Sequence, residues 1–360
     1  MEAYDLKHFF YLLAVVLMLS VVPVPAEAGE SSLAEAPIFI DGKPYNSKFI
    51  MIEGHLLVPA LFFKKTGAQV DWDNQYRSVV LKARDTMFAL PIGKRYSDDF
   101  NRATGTWERG KLAAVPIELA GEPFIPLVET AKKLGMDVKY DRIIDRTFIT
   151  THIEYKPNEI TVANTSEKYV ALTFDDGPDD FYTPRILSIL KEKGVPATFF
   201  VIGRNVSRYP NITKQMVSEG HSVANHTWSH PDLRYTWSAD VKKEILDTQD
   251  IIFKTIGRKS DLFRPPYGFY TKADLAILSE IGMRNIKWSV DTLDWSGLTA
   301  DMILDIVRRD ITPGGIILQH NNSANRNLEG TIEALPIIID ELKKQGYMFV
   351  TLQTLLDRQK

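Results

Sequence analysis

From Lys168 onward short apolar strands alternate with helical segments, and a chain patterned in this way has to build a parallel sheet covered by its crossover helices. Residues 169–174 read as an apolar strand, 183–193 as a helix closed by Gly194, and 197–203 as a second strand. The alternation continues through a helix at 210–219 and a strand at 222–224. About 190 residues of this grammar predict an α/β fold, a small or distorted (β/α) barrel. In such folds chemistry gathers at the carboxyl ends of the strands.

Those ends carry the most unusual residues of the chain. The first strand delivers Asp175-Asp176-Gly177-Pro178, two adjacent carboxylates that repel unless a cation or a partner separates their roles. Seen alone, the same residues also make an ordinary solvated turn. The chain has no cysteine, which excludes a thiol nucleophile and thiolate-held metals, so any metal must rest on His, Asp or Glu. His226-Thr227-Trp228-Ser229-His230 sets two imidazoles at i and i+4, which on one helical turn face the same way and suit a single ion. With a carboxylate from the pair they give two His and one Asp with a position left open for water, as in catalytic zinc sites. His221 has no partner pattern and reads as a packing or backbone contact.

Arg264-Pro265-Pro266-Tyr267-Gly268 is rigid through its double proline, either as a plain loop or as a mount that aims Arg264 and the Tyr267 N–H. Residues 288–295 and 316–320 are strands that end in ionisable groups. His320 reads either as a satisfied core histidine or as a general acid oriented by Asp294, with the role of Asp291 left open.

Together and in this order, these segments resemble the polysaccharide deacetylases of carbohydrate esterase family 4, the NodB-homology domain, over residues 168–357. The resemblance implies a metal-dependent hydrolase in which Asp175 is the general base and Asp176, His226 and His230 hold the metal. It makes Arg264 the partner of Asp175, the Tyr267 N–H an oxyanion donor, and His320 the general acid held by Asp294. Tyr267, Trp295 and Leu318 would wall the acetyl pocket. The implied cofactor is a divalent ion, zinc foremost, with cobalt or nickel as alternatives. The expected reaction is removal of acetyl from the acetamido groups of a cell-wall polysaccharide, foremost N-acetylglucosamine in peptidoglycan. O-deacetylation of xylan or another acetylated polysaccharide, and a catalytically silent wall-binding protein, are the alternatives.

Ahead of this domain the chain repeats itself. Gly54-His55-Leu56-Leu57-Val58-Pro59, then Lys64-Lys65, Gly67, Val70 and Trp72-Asp73, is echoed by Gly121-Glu122-Pro123-Phe124-Ile125-Pro126, then Lys132-Lys133, Gly135, Val138 and Tyr140-Asp141. Each copy reads as a strand entering Pro, an amphipathic helix (59–66; 126–134) closed by Gly, and a strand ending in a turn. Two copies are too few for a solenoid and predict a small α+β module at 33–153. The pattern resembles the copper-amine-oxidase N-terminal-like module over about residues 36–153. Its only histidines, His55 and His152, make no copper ligand set, so a structural or wall-associating role is expected. Residues 154–167 read as a linker and 168–360 as the deacetylase domain.

The first 28 residues read as a secretory signal: an apolar run at 9–22, then Pro23, Pro25 and Ala26-Glu27-Ala28. Cleavage gives a secreted or wall-associated bacterial protein without a stable membrane anchor, and an uncleaved segment would anchor it. Loss of Glu2, Asp5, Lys7 and Glu27 moves the formal charge from −3 to about −1. That near-neutral balance argues against a nucleic-acid partner and for a sugar polymer recognised by shape and hydrogen bonds. A monomer is favoured.

Overall fold

In the computed structural model, which describes residues 33–153, 158–322 and 327–358, all neighbours in the C-terminal sheet run parallel. The expected signal at 1–28 and residues 154–157 of the expected linker lie outside the described residues. The strand order is Glu159–Ile160, Arg284–Ile286, Leu262–Phe263, Ser222–Asn225, Thr198–Val201, Tyr169–Asp175, Gly315–His320 and Val290–Asp291, with Met348–Phe349 also pairing Tyr169–Asp175. Glu159–Ile160, read as linker from its polar surroundings, instead adds an outer strand to this sheet.

Arg284–Ile286 and Val290–Asp291 lie near opposite ends of that order, yet only Lys287, Trp288 and Ser289 separate them in the chain. A flat sheet would hold them roughly 29 Å apart at about 4.8 Å per strand, whereas four peptide steps reach at most about 14 Å. The sheet therefore curls into a distorted (β/α) barrel, as the alternation predicts.

The two-residue period of each strand sorts its side chains between two cores. Val170, Leu172 and Phe174 pack with Leu187, Ile303 and Ile338 in the helix layer. Tyr169 and Ala171 join Phe200, Ala224 and Ile316 inside the barrel, where Leu352 and Leu355 close its amino-terminal end. Thr173 and Asp175 continue the inward row to the opposite, carboxyl end.

The repeat folds back on itself. Phe124, Ile125 and Pro126 pair antiparallel with Pro59, Val58 and Leu57, so the two copies share one four-stranded sheet. Each helix closes on its glycine, Gly67 and Gly135, in the left-handed conformation the pattern predicts. The second is an α-helix, Leu127–Lys133, but the first, Ala60–Thr66, winds as a 3₁₀ helix buried on most sides. A second four-stranded sheet and a five-stranded antiparallel meander from Gln69–Asp73 to Thr106–Lys111 complete the module.

Residues Glu35–Lys360 form one compact unit, so module and barrel are packed together. Asp71 Oδ1 accepts the Ala239 N–H at 2.6 Å and Ser238 Oγ accepts the Val70 N–H at 2.9 Å, which ties the first turn of helix Ser238–Ile256 to the module. Trp72 stacks on Trp237 with ring centroids 6.4 Å apart. At the centre of the contact the Lys64 ammonium, wholly buried, donates to the Leu233 and Thr236 carbonyls and lies 2.8 Å from Asp274 Oδ1. Asp274 Oδ2 accepts from the Thr271 N–H and hydroxyl, in the capping box of helix Lys272–Glu280. Lys64→Met should therefore cost about 3–5 kcal/mol of stability, because it strands a buried carboxylate. Urea denaturation of the full chain measures this, and an unchanged midpoint would contradict it.

Candidate active site

The carboxyl ends of the curled strands converge on a cleft of about 430 Å³. Asp175 ends its strand opposite His320, its register partner on the neighbouring strand, which puts a carboxylate and an imidazole side by side on the rim. Arg264 follows the Leu262–Phe263 strand and lies wholly buried. Its Nη1 donates to Asp175 Oδ1 at 2.7 Å and to Thr173 Oγ1 at 3.0 Å, and its Nη2 donates to the Lys287 carbonyl at 3.0 Å. Arg264 thus fixes one oxygen of Asp175 and also satisfies a carbonyl in the three-residue seam where the barrel closes. Phe200 lies 4.0 Å beneath its guanidinium.

Asp176, His226 and His230 come together, with one donor atom from each lying within 4.8 Å of the others. Both Nε2 atoms address Asp176 Oδ1, at 3.4 Å for His226 and 3.2 Å for His230. Burial alone would raise the Asp176 carboxyl, but the two imidazoles outweigh it and hold the group well below the usual carboxylate range. His226 Nδ1 lies 2.7 Å from the Arg264 carbonyl, which requires a proton on Nδ1 and leaves the lone pair on Nε2. Two imidazole nitrogens and one carboxylate oxygen, buried and convergent, fit a divalent ion. Among the described residues this is the only such cluster, and His55 and His152 are not part of one.

The expected helical turn through His226 and His230 is absent. Thr227 and His230 adopt left-handed backbone at φ 68° and 65°, which a helix excludes, and Pro231 disfavours helical geometry at the residue before it. The loop is held from outside instead. Glu244, on helix Ser238–Ile256, accepts the Trp228 and Ser229 N–H groups at 2.8 and 2.7 Å and the Ser229 hydroxyl at 2.7 Å. Asn225 Oδ1 accepts the Thr227 N–H at 3.0 Å. No sequence spacing pointed to Glu244, because it reaches the loop through tertiary packing.

Asp294 is buried beneath His320. Its Oδ1 lies 2.7 Å from His320 Nδ1, while Oδ2 accepts the His320 N–H at 2.8 Å and the Thr331 hydroxyl at 2.8 Å. Asp291 lines the cleft and accepts the Leu293 N–H, and it is Asp294 that meets the ring nitrogen. Burial lowers the His320 pKa, but Asp294, Asp176 and Asp175 outweigh it and raise it from 6.5 to about 9. In the metal-free protein this favours the protonated imidazole at neutral pH. An NMR titration of that form should find this imidazole near pH 9, and Asp294→Asn should return it toward 6.5. An unmoved titration in that variant would show that Asp294 does not set it.

Tyr267 holds left-handed backbone at φ 58° between Pro266 and Gly268, and its N–H donates to no described group. Its ring packs edge-on against His230 at 4.6 Å. Trp295 and Leu318 also line the cleft, so the three expected wall residues are brought together with the carboxylates. Among the described residues of the barrel the non-glycine residues with positive φ are Asp176, Thr227, His230, Tyr267 and Leu293, and all lie in the loops at this rim. Each stores about 1–3 kcal/mol of backbone strain that the surrounding hydrogen bonds must hold. Gly177 follows Asp176 because its backbone lies against Asn321, where an added Cβ would sit 2.2 Å from the amide nitrogen. His221 is elsewhere, accepting the Ala197 N–H through Nδ1 at 3.1 Å, the backbone contact its isolation suggests.

Comparison with known proteins follows this division of the chain. Residues 162–286 match the polysaccharide deacetylase family and residues 39–142 match the copper amine oxidase N-terminal domain. A Bacillus cereus protein named peptidoglycan-N-acetylglucosamine deacetylase is 42% identical over 191 residues, covering 53% of this chain and 69% of its own. The crystal structure of a peptidoglycan N-acetylglucosamine deacetylase in complex with a benzamide derivative is similar at 38% identity and a TM-score of 0.55, over 57% of this chain and 96% of that one. A carbohydrate esterase family 4 pseudoenzyme from Bacillus anthracis is similar over 83% of this chain and 94% of its own, at 26% identity and a TM-score of 0.53.

Proposed function

We propose, for a chain that belongs to the polysaccharide deacetylase family, that this hydrolase removes the N-acetyl group of N-acetylglucosamine in peptidoglycan. The observation that carries the reading is the convergence of Asp175–Arg264, His320–Asp294 and the Asp176, His226 and His230 donors on one cleft. Relatives named for peptidoglycan support the substrate, and the apolar run at 9–22 supports export to the wall.

Asp176, His226 and His230 would hold the ion, with zinc favoured by the two-imidazole, one-carboxylate set. When bound, a divalent ion polarises the acetyl carbonyl and lowers the pKa of water toward about 7. Asp175, with Oδ1 fixed by Arg264, presents Oδ2 to take the proton of the attacking water. The Tyr267 N–H, preorganised by the Pro265-Pro266 turn, donates to the developing oxyanion, a contact worth about 3–4 kcal/mol. His320, held in orientation by Asp294 at Nδ1, donates its Nε2 proton to the departing amine. Trp295 and Leu318 exclude bulk water beside the acetyl methyl.

The similarity to a pseudoenzyme over most of the chain favours one other reading, a silent wall-binding protein. The complete set of base, acid and metal donors weighs against it. Mass spectrometry of N-acetylglucosamine oligomers, peptidoglycan and acetylxylan after incubation with metal-loaded protein tests both. Acetate loss from the first two supports the proposal, loss from acetylxylan alone reassigns the substrate, and no loss from any supports the silent protein.

A further inference from the structure

A second and larger cleft, of about 810 Å³, lies where the N-terminal module meets the barrel. One wall is the edge strand Lys43–Lys48 with the 3₁₀ helix Ala60–Thr66, and the other is Arg234, Tyr235 and the Tyr270-Thr271-Lys272 start of helix Lys272–Glu280. The ordinary role of such a cleft is a water-filled seam between packed modules. Three observations go beyond that.

First, its cations outnumber its balancing anions. Lys272 is paired with Asp41 at 2.6 Å and Arg234 with Asp232 at 2.6 Å. Lys43, Lys48 and Lys65 have no carboxylate within ion-pair distance among the described residues; the cleft's own acids are Glu35, which sits opposite Lys48 on the neighbouring strand, and Glu122. Lys65 is the most telling. It is half-buried, its ammonium rests 5.5 Å from the Tyr45 ring and 5.3 Å from the Phe62 ring, and its only hydrogen bond is a long one, 3.4 Å, to the Asn46 carbonyl. Burial and the neighbouring Arg234 both lower its pKa, so the ammonium faces a second cation rather than a counter-ion. An anion entering here would relieve both effects.

Second, aromatic rings line the same cleft: Tyr45, against which Lys65 rests, on the module, and Tyr235 and Tyr270 on the barrel. Tyr235 is 72% exposed, which leaves its ring open to a ligand.

Third, the cleft adjoins the active site, with the packed Arg234 and Phe269 side chains between the two. Phe269 walls the catalytic cleft, and its ring carries the Arg234 guanidinium at 3.6 Å on the way to Tyr270. From His230, contacts run through Tyr267 at 4.6 Å and Phe269 at 6.3 Å to Arg234, which lines the second cleft.

We propose that this intermodule cleft is a substrate subsite that receives the glycan strand beyond the scissile acetamide, with Lys65, Lys48 and Lys43 facing the carboxylates of its stem peptides. The inference rests on the peptidoglycan reading above and gives the N-terminal module a part in polymer recognition. Aromatic rings suit sugar rings, and lysines without an ion-pair partner suit carboxylates that recur along a polymer.

The test is co-sedimentation of the metal-free full chain with purified peptidoglycan stripped of phosphate-bearing polymers, which reads binding without turnover. Lys65→Glu should weaken binding about tenfold, and Lys43→Glu with Lys48→Glu, both exposed, should do the same. Amidation of the peptidoglycan carboxylates should abolish the difference between wild type and variants. Equal binding of wild type and the folded double variant to native peptidoglycan would overturn the proposal. That double variant decides the matter if Lys65→Glu fails to fold. Variants that weaken binding to carboxylate-bearing and amidated polymer alike would also overturn it, since the lysines would then not be reading the stem peptides. Absence of acetate release by the metal-loaded wild type would sink the deacetylase reading instead, and the two failures are told apart because binding is measured separately.

Discussion

Asp175→Asn should retain metal uptake while kcat for acetate release falls by about 100- to 10,000-fold, the range a positioned general base supplies. The substitution is nearly isosteric, and the carbonyl oxygen of the introduced amide can still accept from Arg264 Nη1, where Asp175 Oδ1 does at 2.7 Å. What disappears is a basic oxygen facing the cleft. The metal donors are the neighbouring Asp176 and two histidines, so elemental analysis of the purified variant should give the wild-type metal content. Turnover at the wild-type rate would remove Asp175 from the role of base. Some loss of stability should accompany the change, because the buried Arg264 guanidinium keeps its charge when its counter-ion is gone.

His226→Ala should fail in the opposite way, with metal lost and activity lost as its consequence. His226 is held on one side by the Arg264 carbonyl and offers Nε2 on the other, so removing it leaves two donors where three converged. Metal affinity should fall by more than the 10- to 100-fold that removing only a supporting hydrogen bond costs. A chelator competition assay measures that fall. Metal content equal to wild type would exclude His226 from the donor set. Run together, the two variants separate the group that moves a proton from the group that holds the ion.

Much of this site was readable in the sequence because it sits where parallel sheets always place chemistry, and because its residue types are costly anywhere else. A carboxylate pair at a strand end, two nearby histidines and His320 after an apolar strand each had an ordinary reading when taken alone. Their joint order then supplied Arg264 and Asp294. The conformation of the His226–His230 loop was not readable from spacing, although Pro231 carried a local signal against a helix at His230. Glu244 and Asn321 were invisible for a different reason: each reaches the site across a packing contact that no short-range pattern encodes. The N-terminal repeat revealed its strand–helix–strand unit, but not the five-stranded meander between the copies, whose strands belong to neither copy's pattern as a whole. Nor did the paired lysines announce that Lys64 turns inward to Asp274 while Lys133 in the second copy meets Asp99 within the module.

The contact around Lys64 bears on how such a protein can be rearranged in evolution. A barrel cut free of its module would lose the ammonium that faces Asp274 and would expose Trp237 and the first turn of helix Ser238–Ile256. That helix also carries Glu244, which secures the loop of His226 and His230. A barrel that gains or sheds this module must also gain or shed the partner of Asp274, so the lysine–aspartate pair marks where the two halves are fitted to each other.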